Sequence, residues 1–433
     1  MTKIIIIGAG AAGLMAAKIL SAKGIDILVL EARDRLGGRI NTIQDPFMFN
    51  CETGAEFIHG NLKLTKQLLN EAGLKQIKIK GEIFRMEDGH LKEDDDFVEG
   101  WDILTKRLKE LTTDITISEF LDKHMPEKKY ADIRESFKKY VQGYDAADIL
   151  DASAISIREE MENGNEDQFR VENGYSGLIN FLSAESKKNG CIIKTSETVK
   201  QINWQKDNVE VVTGKKTYKA NKVIITVPIG VLQANKNEEG GIKFTPEISE
   251  QRIAINQIGF GFVIKILLEF DEAFWFDRQF LKERNMDKPF FFFAETFIPT
   301  WWTQFPDKRP LLVGWLAGPE ADKHHNLNDS ELLEKAITSL AKIFKLNDEY
   351  LYSKLLIHKI CNWVKDPFCR GAYSYATLST KTAVDILKKP IQNTIYLAGE
   401  ALSKSDTGTV DAALQSGKEV AKLIYSTPIK KLR

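Results

Sequence analysis

The chain opens by joining a run of aliphatic residues to three closely spaced glycines, in the stretch KIIIIGAGAAGLMAAKIL (residues 3–20). The four isoleucines predict a strand buried on both faces, as in parallel sheets. A helix is predicted to follow, and Gly8, Gly10 and Gly13 fall at the turn in the spacing G-x-G-x-x-G. In this pattern the first glycine allows a tight turn, the second admits a phosphate, and the third lets helix and strand pack closely. The stretch therefore predicts an α/β sheet with a phosphate-binding turn.

A second strand with an acidic residue at its end extends this prediction. The stretch DILVLEA (residues 26–32) places Glu31 eighteen residues after Gly13. A carboxylate at that position accepts hydrogen bonds from ribose hydroxyl groups in dinucleotide-binding folds. Glycine-alanine helices also occur for packing alone, so the glycine spacing is not decisive by itself. Strand, turn, helix, strand and acid together predict a site for an adenine dinucleotide.

The next segment, EARDRLGGRI (residues 31–40), distinguishes between two dinucleotides. Sites for nicotinamide dinucleotides rarely place two arginines and a second glycine pair directly after the ribose-binding acid. A longer flavin dinucleotide gives these residues a use, because Gly37 and Gly38 allow close approach of the ligand. Arg33 and Arg39 can neutralise its pyrophosphate with forked hydrogen bonds. The alternative is a surface loop with solvated arginines, and the segment favours FAD.

Composition argues against several other functions. A chain of 433 residues predicts two or three domains. Its 60 basic and 61 acidic side chains give a net charge of −1, which does not indicate a nucleic-acid partner. Cys51, Cys191, Cys361 and Cys369 show no paired spacing, so neither a metal site nor a disulfide framework is expected. No apolar run approaches the roughly 18 to 20 residues of a membrane span, and we expect a cytoplasmic protein.

The order of helix and strand patterns predicts a nucleotide domain built from separated segments. Apolar positions have helical spacing before residue 171, period-two alternation from 191 to 233, and a strand–turn–helix pattern at the end of the chain. We expect an α/β, two-domain flavoprotein with a Rossmann-like FAD-binding domain and a substrate domain of mixed β-sheet plus helices. The FAD-binding domain is predicted to comprise residues 1–80, 175–240 and 390–433, and the substrate domain residues 81–174 and 241–389. The acidic run KEDDDF (residues 92–97) predicts a solvated loop, or alternatively an entrance that attracts cations.

Six further stretches resemble, in the same order, the flavin-containing amine oxidases, the family that includes monoamine and polyamine oxidases. They are CETGAEFIHG (51–60), SETVKQI (196–202), VIITVPIGVL (223–232), FVIKILLEF (262–270), WVKDPFCRGAYSY (363–375) and IYLAGEALS with GTVDAALQSG (395–417). The resemblance covers nearly the whole chain. It implies a two-domain flavoprotein that oxidises amines.

The resemblance assigns three residues to catalysis. Lys265 would hold a water against the reactive nitrogen of the flavin, although periodicity alone favours an edge residue with its ammonium in solvent. Tyr373 would form one aromatic wall beside the amine. His59 would lie near the substrate, and a structural histidine bonded to backbone is an equal alternative. The second wall of monoamine oxidases corresponds to Thr409, which implies a wider site, as in some polyamine oxidases.

The resemblance also implies how FAD is held. Ala372 stands where some relatives carry a cysteine bonded to the flavin, so noncovalent FAD is expected. Glu400 would contact the ribityl chain, Trp363 would pack near the isoalloxazine, and the amides of Thr409 and Val410 would stabilise charge on the reduced flavin. The full set of expected cofactor-binding residues is Gly8, Gly10, Ala11, Ala12, Gly13, Glu31, Ala32, Arg33, Gly37, Gly38, Arg39, Gly54, Ala55, Glu56, Phe57, Val199, Trp363, Gly399, Glu400, Thr409 and Val410.

The expected reaction is oxidation of a primary or secondary amine, with a polyamine as one option, to an imine and then an aldehyde. Oxygen would be reduced to hydrogen peroxide, and the protein would be a monomer or homodimer. One alternative is an L-amino-acid oxidase, which needs a cation for the substrate carboxylate; relatives of that type place an arginine in the segment equivalent to GAEFIHG, and this stretch has no arginine. Another is a polyene desaturase, which would lack the Lys265 strand. A non-enzymatic flavin-binding scaffold would need neither this lysine nor an aromatic wall.

Overall fold

The computed structural model describes residues 3–46, 48–94, 100–163, 167–283, 286–403 and 406–426. Its strands are β1 (Lys3–Ile7), β2 (Asp26–Leu30), β3 (Phe57–His59), β4 (Gln76–Ile79), β5 (Glu82–Glu87), β6 (His90–Glu93), β7 (Gln168–Val171), β8 (Ile192–Lys194), β9 (Val199–Gln205), β10 (Asn208–Thr213), β11 (Thr217–Ala220), β12 (Lys222–Ile225), β13 (Lys243–Thr245), β14 (Gly259–Gly261), β15 (Val263–Phe270), β16 (Pro289–Phe293), β17 (Thr300–Trp302), β18 (Leu311–Ala317), β19 (Leu355–Asn362), β20 (Tyr373–Tyr375) and β21 (Ile395–Leu397). Its α-helices are α1 (Ala11–Ser21), α2 (Lys63–Glu71), α3 (Trp101–Lys109), α4 (Ile117–His124), α5 (Ala131–Gly143), α6 (Ala154–Asn163), α7 (Ser176–Lys188), α8 (Ile229–Gln233), α9 (Ser249–Ile255), α10 (Arg278–Glu283), α11 (Gly318–His324), α12 (Asp329–Phe344), α13 (Asp348–Lys354), α14 (Thr380–Leu387) and α15 (Val410–Ser426).

A five-stranded parallel sheet, in the order β21-β12-β1-β2-β8, carries the glycine-rich turn. Ile4 and Ile6 of β1 point into one core, while Ile5 and Ile7 point into the other. This burial on both faces is why the strand is an unbroken aliphatic run. Helices α1, α7 and α15 cover the first face, and the sheet of β9, β10, β11 and β13 packs on the second.

A seven-stranded sheet, in the order β19-β15-β18-β17-β16-β5-β6, forms the other large layer. In β15, Lys265 lies opposite Trp315 of β18 on one side and Cys361 of β19 on the other. The lysine is therefore on an interior strand, and the interpretation from periodicity alone, a solvated edge residue, is wrong. Helix α12 packs on this sheet, and helices α3 to α6 form a separate apolar core.

The parallel sheet and the mixed sheet confirm the predicted α/β fold class. The parallel sheet takes its strands from three separated segments of the chain, whereas the predicted domain boundaries stay a prediction. Of the acidic run, residues 95–97 lie outside the described residues. In the part of the chain that the structure describes, no helix combines the length and the apolar character needed to cross a bilayer.

The contact between α1 and α15 generates a stability prediction. A Cβ at Gly417 would lie 2.2 Å from the carbonyl oxygen of Ala12, and backbone cannot yield as a flexible side chain would. We expect Gly417→Ala to lower the free energy of unfolding by about 1–3 kcal/mol. Gly143→Ala is the matched control, because its Cβ would meet nothing within 4 Å. Equal shifts of the two variants in differential scanning calorimetry would show that this helix contact tolerates a side chain.

Candidate active site

A cavity of about 2780 Å³ connects the glycine-rich turn with the seven-stranded sheet. Gly13 is the one predicted site residue that does not line it. The predicted residues that do line it are Gly8, Gly10, Ala11, Ala12, Glu31, Ala32, Arg33, Gly37, Gly38, Arg39, Gly54, Ala55, Glu56, Phe57, His59, Val199, Lys265, Trp363, Tyr373, Gly399, Glu400, Thr409 and Val410. The structure therefore brings residues from the whole length of the chain to one place.

The turn after β1 is shaped to receive a diphosphate. Gly8 has φ +102°, which L-residues with side chains rarely adopt. A Cβ at Gly13 would lie 2.1 Å from the carbonyl oxygen of Gly8, so this glycine serves close packing of α1 on β1. At Gly10 a Cβ would meet only the Gly37 carbonyl oxygen, at 3.8 Å, which leaves the space before the helix open. This open space and the free amides of the first helical turn fit a dinucleotide pyrophosphate.

Glu31 lies at the end of β2 with its carboxylate facing the turn. Its Oε2 accepts a hydrogen bond from the backbone N–H of Ala9 at 2.8 Å, and its Oε1 accepts one from the N–H of Arg33 at 3.0 Å. Each carboxylate oxygen can accept a further hydrogen bond. The carboxylate is thus fixed in position and keeps acceptor capacity toward the cavity, as a ribose contact requires.

The two predicted arginines have protein partners that the sequence did not indicate. Nη2 of Arg33 donates to both carboxylate oxygens of Asp366 at 2.7 Å. Nη1 of Arg39 donates to Glu400 Oε1 at 2.8 Å and to the Ala372 carbonyl oxygen at 2.6 Å. Both arginines therefore tie the loop after β2 to the C-terminal third of the chain. Their contact with a pyrophosphate stays a prediction.

The C-terminal segment brings a helix start to the cavity. Oε2 of Glu400 accepts hydrogen bonds from the Ser374 hydroxyl at 2.6 Å and the Gly408 N–H at 3.1 Å. The hydroxyl of Thr409 accepts from the N–H of Ala412 at 3.1 Å, so Thr409 caps the start of α15. The N-terminus of a helix carries a partial positive charge. The start of α15 can therefore stabilise a bound group that becomes negatively charged.

Lys265 is a deeply buried charged group in the wall of the same cavity. Its side chain is 1% exposed, and its Nζ donates to Glu56 Oε2 at 2.7 Å and to the Gly54 carbonyl oxygen at 3.2 Å. The ammonium also lies 5.4 Å from the ring centroid of Trp302. These contacts fix the position and direction of the charge.

Glu56 is shared between two cations. Its Oε1 accepts from Arg170 Nε at 2.9 Å and from Trp302 Nε1 at 3.0 Å, while Oε2 binds Lys265. Burial disfavours its ionisation, but the charges of Lys265 and Arg170 outweigh this and hold the pKa of Glu56 below its ordinary value. Arg170 was not predicted from the sequence, because no motif singles it out and its partner Glu56 lies 114 positions away.

Tyr373 and His59 lie in an aromatic corner of the cavity. The hydroxyl of Tyr373 donates to the carbonyl oxygen of Tyr144 at 2.6 Å. The Tyr144 ring stacks on Tyr140 at 5.3 Å and meets the His59 ring at 5.5 Å. Burial lowers the pKa of His59 to about 4, so its imidazole is neutral at pH 7. Among the described residues the His59 ring has no hydrogen-bond partner, which disfavours the alternative of a structural histidine bonded to backbone.

Packing around the predicted flavin end is tight. Trp363 donates from Nε1 to the Thr53 carbonyl oxygen at 2.9 Å, and its ring would lie 3.2 Å from a Cβ at Gly54. Phe57 packs on Trp302 with ring centroids 5.5 Å apart.

Two carboxyl groups that were not predicted from the sequence, those of Asp145 and Glu160, also line the cavity. No motif identifies them.

Comparisons with known proteins agree with this geometry. Residues 11–425 match the family described as flavin containing amine oxidoreductase. The chain is 30% identical to polyamine oxidase 4 of Oryza sativa subsp. japonica, over 96% of this chain and 86% of that protein. It is 27% identical to human lysine-specific histone demethylase 2, over 97% of this chain but only 53% of that protein. The chain thus spans about half the length of this demethylase.

Solved structures share the fold at low identity. Putrescine oxidase bound to putrescine superposes with a TM-score of 0.79 at 18% identity, over 98% of this chain and 99% of that chain. Cyclohexylamine oxidase from Brevibacterium oxydans gives a TM-score of 0.79 at 17% identity, with the same coverage of both chains. With the family match over almost the whole sequence, the chain belongs to the flavin-containing amine oxidoreductases, a family of FAD-dependent enzymes that act on amines.

Proposed function

We propose that this protein oxidises longer diamines, polyamines or their acylated forms in preference to compact aryl monoamines, with oxygen as the electron acceptor. The observation that carries this proposal is the buried Lys265, set in the wall of the cavity that the dinucleotide turn and the aromatic corner of Tyr373 also line. When bound, FAD supplies the redox chemistry by accepting a hydride equivalent from the carbon next to the amine nitrogen.

The residues present fit noncovalent FAD. The turn at Gly8 and Gly10 and the start of α1 would hold the pyrophosphate, and Glu31 the adenosine ribose. Val199 lines the cavity at the start of β9, where the adenine would lie. The start of α15, beside Thr409, would face the flavin edge that becomes negative on reduction.

In this proposal Lys265 acts on oxygen chemistry. A fixed cation stabilises negative charge that develops on oxygen only if its position is set before the reaction. Glu56 sets that position, because its carboxylate accepts from the ammonium at 2.7 Å and is itself held by Arg170. Glu56 is thus a positioning residue for Lys265.

The amine would react beside Tyr373. An amine with a solution pKa near 10 must lose its proton before its α-carbon can give up hydride. An aromatic, poorly solvated wall favours the neutral form. The neutral imidazole of His59 can accept a hydrogen bond from a second nitrogen farther along the substrate.

The alternatives are not favoured. An L-amino-acid oxidase must bind a carboxylate, whereas the acidic pair Asp145 and Glu160 lines the cavity and would disfavour one; Asp145 follows Tyr144, whose carbonyl oxygen accepts from the Tyr373 hydroxyl. A flavin-binding scaffold that catalyses no reaction needs no buried Lys265.

We further propose that the protein is cytoplasmic and is a monomer or a homodimer.

Noncovalent attachment predicts that acid releases the flavin. Ala372 lines the cavity but offers no thiol, and the thiol of Cys369, also in the cavity wall, accepts a hydrogen bond from Arg33 at 3.2 Å. We expect purified protein to be yellow and its colour to move into the supernatant when the protein is precipitated with acid. A yellow pellet would contradict this prediction.

The open side of the substrate site predicts a substrate order. We expect kcat/KM for spermidine, acetylspermine or putrescine to exceed that for benzylamine and phenethylamine, because Thr409 leaves a small ring held on one side only. Thr409→Tyr should shift the preference toward benzylamine. Thr409→Ser is the control, since serine keeps the hydroxyl that caps α15 and leaves the site open.

Two outcomes would contradict the proposal. A lead of benzylamine or phenethylamine by about tenfold, or about 1.4 kcal/mol in transition-state binding, would place the enzyme with monoamine oxidases. Turnover of a methylated-lysine peptide in preference to all free amines would indicate a macromolecular substrate instead. A peroxide assay reports both results.

A further inference from the structure

Arg33 is held in the cavity wall by Asp366, which lies 333 positions away in the sequence. Nη2 of Arg33 donates to both carboxylate oxygens of Asp366 at 2.7 Å and to the Cys369 sulfur at 3.2 Å. Burial raises the pKa of the Cys369 thiol, so this sulfur is uncharged at pH 7. Of the two residues, Asp366 is therefore the one that compensates the charge of Arg33.

The pairing with Asp366 leaves donors of Arg33 for a ligand. A guanidinium carries N–H donors on each of its nitrogens, all in one plane. Among the described residues, only Nη2 of Arg33 has hydrogen-bond acceptors, and its Nη1 lies 4.0 Å from Glu31 Oε1. Glu31 is the predicted ribose contact, and both residues line the cavity. Nε and Nη1 can therefore donate to a dinucleotide beside Glu31 while Asp366 fixes the guanidinium through Nη2.

Residues 366–370 form a compact turn that keeps Asp366 in place. Oδ1 of Asp366 accepts a hydrogen bond from the N–H of Phe368 at 2.9 Å. The carbonyl oxygen of Asp366 accepts from the N–H groups of Cys369 at 3.1 Å and Arg370 at 2.8 Å. An aspartate stabilises a turn by such bonds to the backbone two residues on. The same carboxylate thus shapes the 366–370 turn and binds Arg33.

The far end of the 366–370 turn is anchored to a second loop. Nη2 of Arg370 donates to the Glu239 carbonyl oxygen at 2.7 Å, and its Nη1 pairs with Glu238 Oε2 at 2.6 Å. A Cβ at Gly240 would lie 2.1 Å from the Pro367 carbonyl oxygen, so this glycine allows the turn and the loop to approach closely. The turn therefore bridges the loop after β2 and the loop before β13.

This bridge forms part of the wall of the cavity in which the dinucleotide is expected. Arg33, Phe368, Cys369 and Gly240 all line the cavity. The guanidinium carbon of Arg33 lies 5.5 Å from the ring centroid of Phe368. A cofactor whose ribose binds Glu31 therefore lies beside the bridge. Because no covalent bond is expected to hold the cofactor, contacts of this kind determine how long it stays bound.

We propose that Asp366 is a positioning residue for FAD, which acts through Arg33 and slows release of the cofactor at its adenosine end. Asp366 fixes Arg33 beside the ribose, and the anchor of Arg370 on residues 238–239 holds the other end of the turn. The inference rests on the proposed placement of FAD and is independent of which amine is oxidised.

The test measures release of FAD from holoenzyme rather than turnover. Diluted holoenzyme is mixed with a phosphodiesterase that cleaves free FAD, which prevents rebinding and raises the flavin fluorescence. We expect Asp366→Asn to release FAD at least about tenfold faster than the unmodified protein, because Arg33 loses its charged partner. Asp122→Asn is the matched control. Asp122 pairs with Arg134 at the same N–O distance of 2.7 Å, and neither residue lines the cavity, so the release rate should not change.

A double-variant cycle separates action through Arg33 from a general effect on the fold. Arg33→Met should also release FAD faster, and adding Asp366→Asn to it should change the rate by less than about twofold. Independent effects that multiply in the double variant overturn the proposal, and so does an unchanged rate in Asp366→Asn. If Asp366→Asn yields no folded holoenzyme, Arg33→Lys is the second variant, because lysine lacks the planar fork. An unchanged release rate in Arg33→Lys overturns the proposal as well.

An amine-oxidation assay on the same preparations separates this inference from the proposed function. If the unmodified protein oxidises amines and Asp366→Asn releases FAD at the unmodified rate, the role of Asp366 alone is overturned. If Asp366→Asn releases FAD faster as expected but the unmodified protein oxidises no amine, the proposed function alone is overturned. Unmodified protein that retains no FAD overturns both.

Discussion

The carboxylate of Glu56, shared by Lys265 and Arg170, is the interaction on which the substrate end of the cavity depends. A lysine that is 1% exposed is tolerated only when its charge is paired and hydrogen-bonded. Glu56 supplies that pair and is in turn fixed by Arg170 and by the indole N–H of Trp302. Arg170 also donates to the Thr303 carbonyl oxygen at 2.9 Å. One buried network therefore joins the segment before β3 with β7, β15 and β17.

The network places positive charge in one part of the cavity wall, and the acidic pair places negative charge in another. Lys265 belongs to the seven-stranded sheet, whereas Asp145 and Glu160 belong to the helical region. The aromatic corner of Tyr373 lines the same cavity. This arrangement suits a substrate with one neutral nitrogen and one charged nitrogen, because each end meets the environment that stabilises its state. In the same arrangement the ammonium of Lys265 can stabilise the negative charge that develops on oxygen.

The sequence predicted local features well and long-range partners poorly. The turn at Gly8 and Gly13 follows from steric limits on a few neighbouring residues, so its geometry was predictable from spacing. The pairing of Lys265 with Glu56 joins residues 209 positions apart, and periodicity alone favoured solvent for the lysine. Arg33 and Asp366 are 333 positions apart, and an arginine beside a predicted phosphate site gives no sign of such a partner. Charged side chains choose partners across the tertiary fold, which local patterns do not encode.

In the proposed reaction, Lys265 is a positioned charge for the step with oxygen. The most direct measurement mixes reduced enzyme rapidly with oxygen and follows flavin reoxidation in Lys265→Met. Lys359→Met is the matched control, because Lys359 lies on neighbouring strand β19 and is exposed. We expect Lys265→Met to retain FAD and to reoxidise about tenfold or more slowly, while the control reacts like the unmodified protein. Equal reoxidation rates in all three proteins would contradict a role of Lys265 in the step with oxygen.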